Sequence, residues 1–329
     1  VLRHLRTPSH PDLLVGTDTA DDAAVWRRPD GRVLIATVDF FTPLIDDART
    51  WGAIAATNAA SDVYAMGGRP LFALNIVAWP QGELPLDLLG EVLAGGEQAA
   101  ADGGWLVVGG HTVDGPEPLY GQAVIGEADE ADLLTNNGGR DGQALILTKA
   151  LGTGVVATAV KRLDAAATGS GGRLESSYRA AVAGMTTLNA AAAAAARRAG
   201  ATAATDITGF GLVGHLRKVA AGSGLGARVD LGALPVLDGV RALVDDGFVP
   251  GGTSRNLADV AGSLRWGSEA ARQRWEPIVA DPQTSGGLVF ACPPERAADA
   301  VAELRAGGHA AARIGELTAA VPVGVLDLA

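Results

Sequence analysis

W-G-A-I-A-A-T-N-A-A-S-D-V-Y-A-M-G-G-R-P, residues 51–70, decides how the rest of the chain is read. Alanine-rich and free of breakers up to Met66, it predicts a helix. Gly67-Gly68 ends that helix and Pro70 blocks its resumption. Ala55, Ala59, Val63 and Met66 form an apolar ladder at helical spacing. Asn58, Ser61 and Asp62 stand three and four residues apart and so crowd a second face. Burying an amide, a hydroxyl and a carboxylate together is costly unless each finds a partner, and a metal or polar ligand would supply one. A solvated helix face would account for the same spacing.

Outward from this helix the chain alternates short strands and helices. Upstream, 23–26 and 33–38 flank Pro29-Asp30-Gly31 and predict a hairpin. Asp21-Asp22 opens its first strand and Asp39 closes its second. Downstream, 71–78 has strand length, 86–103 is helical, 105–108 is a strand, and 120–126 is another. Between the last two lies G-G-H-T-V-D-G-P-E-P, read as a turn in which His111 is a backbone hydrogen-bonder. The chain then turns polar between Glu127 and Gly142, which places a domain boundary there. The second half repeats the grammar: a strand at 144–148, helices at 154–162 and 178–198, a helix entered through Asp206 to His215, and closing strands near 288–291 and 311–317. Mixed strands and helices with local hairpins point to α+β layers.

Bulk properties narrow the function. The 329 residues suit two domains, and a 48% hydrophobic content supports a sizeable core. A net charge of −11 argues against nucleic acid and anionic membrane surfaces as partners. It is compatible with metal–phosphate ligands, because bound cations reverse the local sign. No 18-residue apolar span and no signal peptide are visible. The one cysteine, Cys292, ends an apolar run and reads as an inert core thiol, which together with the lack of any disulfide framework fits a reducing cytoplasm.

Four carboxylate stations remain: Asp21-Asp22, Asp39, Asp62 and Asp206. Each lies at the edge of an apolar element, and hard oxygen ligands of this kind suit Mg²⁺ with substrate phosphates. Any one alone would pass for a cap or turn aspartate. Glycines at 109–110, just after a strand, would let backbone N–H groups approach phosphate oxygens. There is no Walker A pattern, no zinc spacing and no hydrolase triad. The residues themselves specify an Mg²⁺-dependent, phosphate-handling enzyme and stop there.

The segments D-D-A-A-V (21–25), T-V-D-F-F-T-P (37–43), A-T-N-A-A-S-D-V-Y-A-M-G-G-R-P (56–70), G-G-H-T-V-D-G-P-E-P-L-Y-G (109–121), A-T-D-I-T-G-F-G-L-V-G-H-L (204–216) and D-P-Q-T-S-G-G-L (281–288) together resemble the selenophosphate synthetase (selenide, water dikinase) family. The first and third are shared more loosely with aminoimidazole ribonucleotide synthetase, thiamine-monophosphate kinase and a hydrogenase-maturation protein. The resemblance implies a two-domain α+β protein. Residues 1–138 would form an N-terminal ATP- and Mg²⁺-binding domain whose strands join a dimeric β-barrel, and 139–329 a C-terminal α/β sandwich domain. It implies a cytoplasmic homodimer converting ATP, selenide and water to selenophosphate, AMP and orthophosphate. Carried over by position, Asp22, Asp62 and Asp206 would bind Mg²⁺. Asp39 and Thr19-Ala20-Asp21 would contact nucleotide or phosphate, and Gly110-His111-Thr112 would contact the neighbouring subunit's nucleotide. Asn58 joins this set because it lies one turn before Asp62. Thr112 stands where serine is usual and keeps the hydroxyl. The family's catalytic cysteine or selenocysteine, with a lysine three residues on, is expected upstream of Val1. Two other readings are a thiamine-monophosphate-type kinase, which would make ADP, and a non-catalytic nucleotide-binding regulator.

Overall fold

The computed structural model describes residues 8–17, 21–163, 167–169 and 171–329. Its centre is helix α1, Ala48–Ala65, capped by Asp47, whose carboxylate accepts the Thr50 N–H at 2.8 Å. The helix stops where Gly67 takes φ 78°, and Gly68 N–H returns to Val63 C=O at 2.9 Å. From Ile54 to Ala65 every residue is buried, so the solvated-face reading of Asn58, Ser61 and Asp62 does not hold. A helix buried all round must have layers on both sides, and small alanine side chains let those layers approach.

One layer is a six-stranded sheet in the order β1-β2-β3-β6-β4-β5. Its strands are β1 Leu13–Val15, β2 Ala24–Arg27, β3 Arg32–Phe41, β4 Arg69–Trp79, β5 Leu106–Asp114 and β6 Leu119–Asp129. Only β4 and β5 pair in parallel; their crossover is helix α2, Leu86–Gly103. Helices α1 and α2 cross at glycines: a Cβ on Gly52 would sit 1.9 Å from Val92 C=O, and one on Gly95 1.9 Å from Arg49 C=O. The helix-propensity cost of each glycine is about 1 kcal/mol, accepted here for contact that no side chain permits.

Alternation along β3 divides its residues between two environments. Thr37 and Asp39 turn toward α1, whereas Val38 and Phe40 are 51% and 50% exposed on the opposite face. That outer face continues through Leu74 on β4 and Leu106 on β5, both exposed. An apolar sheet face of this extent is unusual on a monomer.

The second layer is a seven-stranded mixed sheet, ordered β10-β13-β9-β12-β7-β11-β8. Its strands are β7 Ala144–Leu147, β8 Ala203–Asp206, β9 Gly226–Val229, β10 Leu264–Trp266, β11 Leu288–Cys292, β12 Ala312–Thr318 and β13 Leu326–Leu328. Helices α3 (Thr153–Arg162), α4 (Glu175–Thr186), α5 (Ala190–Arg198) and α6 (Gly211–Gly222) belong to this half. Helix α1 packs on β3 and β6 from one side and meets α4, α5 and β8 on the other. Cys292 is buried and unpaired.

Two local expectations are corrected. The helix expected over 178–198 is two helices, α4 and α5, interrupted at 187–189. The interruption frees the Thr187 carbonyl to accept the Lys149 amine at 2.6 Å, so a tertiary demand overrides alanine propensity. Gly109 to Asp114, expected as a turn, completes β5. These residues pair with β4 from Leu74 to Trp79, which makes His111 an edge-strand residue.

Candidate active site

The site lies where the two layers meet along α1. Asp62 accepts the Thr37 hydroxyl at 2.5 Å, and Asp39 accepts the Asn58 amide at 2.7 Å. From the other layer, Thr205 donates to Asp22 at 2.8 Å, and Asp206, the last residue of β8, faces Ser61 of α1, whose hydroxyl opposes the rise of its pKa. Asp62, Asp39 and Asp22 are thus each held by one neutral donor, and none of the four carboxylates makes an ion pair among the described residues. Neutral donors fix orientation without cancelling charge, which leaves the anionic field for a bound cation.

Burial, then mutual repulsion, sets the protonation of this cluster. Desolvation drives Asp62 and Asp22 well above the usual carboxylate range, with the charge of Asp206 as the next cause for both. Asp206 is raised to about 6, first by burial, against the opposing Ser61 hydrogen bond. Asp39 is also raised by burial, with Asn58 opposing. Groups that repel one another this way are common at functional sites. The Oδ2 atoms of Asp21, Asp22 and Asp206 are buried and have no hydrogen-bond partner among the described residues. Orphaned hard oxygens are the donor set that Mg²⁺ prefers, so the residues present fit that metal.

Asp22, Asp206 and His215 bring ligand atoms within 4.8 Å of one another. The imidazole nevertheless has its own partners. Its Nε2 accepts the Thr208 N–H at 3.3 Å, which leaves the proton on Nδ1, 3.5 Å from the Thr205 hydroxyl that holds Asp22. Burial keeps the ring neutral, pulling it down to about 3. His215 therefore orients Asp22 through Thr205 rather than competing as a ligand.

The loop 281–287 closes the site from the second layer. Ser285 N–H donates to Asn58 Oδ1 at 2.8 Å. The buried Lys149 amine, lowered to about 7 by desolvation, donates to Ser285 C=O at 2.9 Å. Asn189 reaches both Ser61 Oγ (2.8 Å) and Gly286 C=O (2.9 Å). Ser285 is the one non-glycine among the described residues with positive φ, 47°, held in that strained conformation from both sides.

The other sequence-derived candidates separate. Asp21 accepts the Asn136 N–H at 2.5 Å and anchors the chain between the layers. Thr19 and Ala20 lie outside the described residues. Gly110-His111-Thr112 is exposed on β5 and does not join the aspartates. Register places Asp39, Gln122, Asn75 and Gly110 in one row across β3, β6, β4 and β5, about 14 Å from end to end at ~4.8 Å per strand. Lys149, Asn189, His215 and Ser285 were not singled out from sequence. The nearest signal was polarity out of place, such as a lysine closing the run A-L-I-L-T-K.

The fold and site define the class. Residues 20–128 match the AIR synthase related protein N-terminal domain, and residues 140–326 its C-terminal domain. The chain is 46% identical over 321 residues to the selenide, water dikinase of Burkholderia pseudomallei (strain K96243), covering 96% of this chain and 88% of that one. It is 44% identical over 324 residues to that of Myxococcus xanthus (strain DK1622), covering 98% and 89%. The chain belongs to the selenide, water dikinase family. Among solved structures, the thiamine-monophosphate kinase of Stenotrophomonas maltophilia K279a superposes with a TM-score of 0.68 at 19% identity, covering 97% of this chain and 92% of that one. That likeness is one of fold.

Proposed function

We propose that this chain makes selenophosphate from ATP, selenide and water, releasing AMP and orthophosphate. The observation that carries this reading is the convergence of Asp22, Asp39, Asp62 and Asp206, the first three held by neutral donors, in a member of the selenide, water dikinase family. The balance requires two phosphoanhydride bonds to break, with one phosphoryl group passing to selenium and the other to water.

Asp22, Asp62 and Asp206 would hold Mg²⁺, which supplies charge neutralisation between carboxylates and polyphosphate oxygens. Asp39, Asp21 and the Thr19-Ala20 segment contact nucleotide or phosphate. Asn58 fixes the Asp39 carboxylate and pins the loop at Ser285. Thr37, Ser61 and Thr205 hold the remaining carboxylates so that little reorganisation accompanies charge transfer.

The working form is a homodimer. The outer face of the first sheet, with Val38, Phe40, Leu74 and Leu106 exposed, would pair with a second copy to form a β-barrel. Gly110-His111-Thr112, about 14 Å from its own Asp39, would then serve the partner's nucleotide. Residues 1–138 act as the ATP-binding and dimerisation domain and 139–329 as the C-terminal domain. No helix among the described residues is long and apolar enough to cross a membrane; action in the cytoplasm is part of this proposal.

Phosphorus NMR of the full-length gene product with ATP, Mg²⁺ and selenide tests the reading. A selenide-dependent phosphorus signal with AMP and orthophosphate is expected. ADP formed indifferently to selenide would instead place the chain with the thiamine-monophosphate-type kinases.

A further inference from the structure

Ser285 and Gly286 of the 281–287 loop, with residues of α4, line a cavity of about 210 Å³. We propose that it binds a small, weakly hydrated monoanion, and that its natural occupant is the selenide substrate as HSe⁻. This rests on the functional reading above and adds to it a place for selenide.

Five polar residues line the cavity among alanine, glycine and Leu237: Lys149, Thr153, Thr187, Ser285 and His309. The two threonine hydroxyls are already committed, donating to Gln283 Oε1 at 3.1 Å and to Ala183 C=O at 2.7 Å. The Lys149 amine is buried and donates to two neutral carbonyls, Thr187 at 2.6 Å and Ser285 at 2.9 Å. An ammonium carries three N–H donors, and no carboxylate pairs with this one within ion-pair reach among the described residues. The Ser285 hydroxyl is buried without a partner. A buried amine with a spare N–H donor and a buried hydroxyl without an acceptor are both costly; one anion in the cavity would serve both. The walls decide which anion. The remaining alanine, glycine and leucine walls cannot replace the hydration shell of phosphate, and a large, polarisable monoanion loses less hydration than phosphate on entering. Location agrees as well. Ser285 and Gly286 line the cavity, yet Ser285 N–H bonds Asn58 and Gly286 C=O bonds Asn189, which in turn holds Ser61. Ser285 and Gly286 thus belong both to the cavity lining and to the hydrogen-bond network that reaches Asn58 and Ser61.

Gly184 supplies the test. It lines the cavity, and a Cβ there would meet nothing within 4 Å, so Gly184→Leu starts its added side chain in open space and outside the carboxylate site. Crystals of the protein soaked anaerobically in sodium hydrogen selenide are expected to show anomalous selenium density beside Lys149, lost in Gly184→Leu and in Lys149→Met. In steady state, Gly184→Leu is expected to raise the KM for selenide about tenfold or more while the KM for ATP is unchanged. Selenium density absent from the cavity, or an unaltered selenide KM in folded Gly184→Leu, would overturn the proposal. The functional reading fails separately, if the wild-type protein forms no AMP with selenide; density in the cavity would still establish the site.

Discussion

Asn58 and Ser285, 227 residues apart, share a hydrogen bond of 2.8 Å that joins the central helix to the loop before β11. The same asparagine orients Asp39 at 2.7 Å. One side chain therefore sets both a carboxylate of the site and the loop that closes it. Replacing Asn58 by alanine strands a buried N–H, which costs about 1–3 kcal/mol, and releases the strained Ser285. Asn58→Ala is expected to lower stability by about 2 kcal/mol in urea unfolding and to weaken Mg²⁺–ATP binding by calorimetry. Unchanged nucleotide affinity would remove Asn58 from the site.

Asp62→Asn separates binding from folding. Because Asp62 is raised well above its ordinary range by burial and by its acidic neighbours, the folded chain holds a proton there that the unfolded chain gives up. The metal-free wild type therefore loses stability as pH rises through the folded value, and Asp62→Asn, which keeps the other raised carboxyls, loses less. At pH 8 in EDTA the variant is expected to melt higher than wild type, the gap closing toward pH 5. Its Mg²⁺-dependent nucleotide binding should fall by about tenfold or more. Retained binding would exclude Asp62 as a ligand.

Asp281 gives a second pH signature, away from the carboxylate cluster. Its Oδ2 accepts Gln283 Nε2 at 2.7 Å and Gly154 N–H at 3.1 Å, and burial raises it to about 7 despite those bonds. A raised carboxyl stabilises the fold at low pH, and that contribution is lost as pH rises toward the folded value. Relative to Asp281→Asn, the wild type should lose about 1 kcal/mol per pH unit between roughly pH 5 and 7. Parallel stability–pH curves for the two proteins would contradict this.

Charge on the outer sheet face tests assembly. Phe40 is half exposed in the single chain, so Phe40→Glu should leave the fold intact. Sedimentation equilibrium is expected to show a dimer for wild type and a monomer for the variant, with activity lost alongside. A variant that stays dimeric would mean that the chain pairs through another surface.

The sequence was informative wherever a local pattern carried the information. The α1 segment, its glycine stop and the aspartates at the edges of apolar elements were visible because capping, periodicity and misplaced charge are local. What joins them is not local. Lys149 meets Ser285 across 136 residues and Asn189 meets Ser61 across 128, and nothing in either neighbourhood announces the partner. The break between α4 and α5 was hidden for the same reason, since the lysine that claims Thr187 lies 38 residues away. His111 misled in the opposite sense. Two glycines beside it suggested a turn, yet an edge strand in parallel pairing accepts them in extended form.

The division of the acidic cluster between two layers bears on how the molecule reaches its native state. Asp39 and Asp62 belong to the first layer, whereas Asp206 ends a strand of the second. Each half can complete its own sheet without confronting the whole repulsion, which arises only when the halves close on each other. Closure is then the step most responsive to divalent cations. Refolding followed by a probe spanning α1 and the 281–287 loop is expected to show a late phase accelerated by Mg²⁺, while backbone structure forms earlier at a rate independent of the metal. A late phase indifferent to Mg²⁺ would mean that the carboxylates acquire their protons before the halves meet.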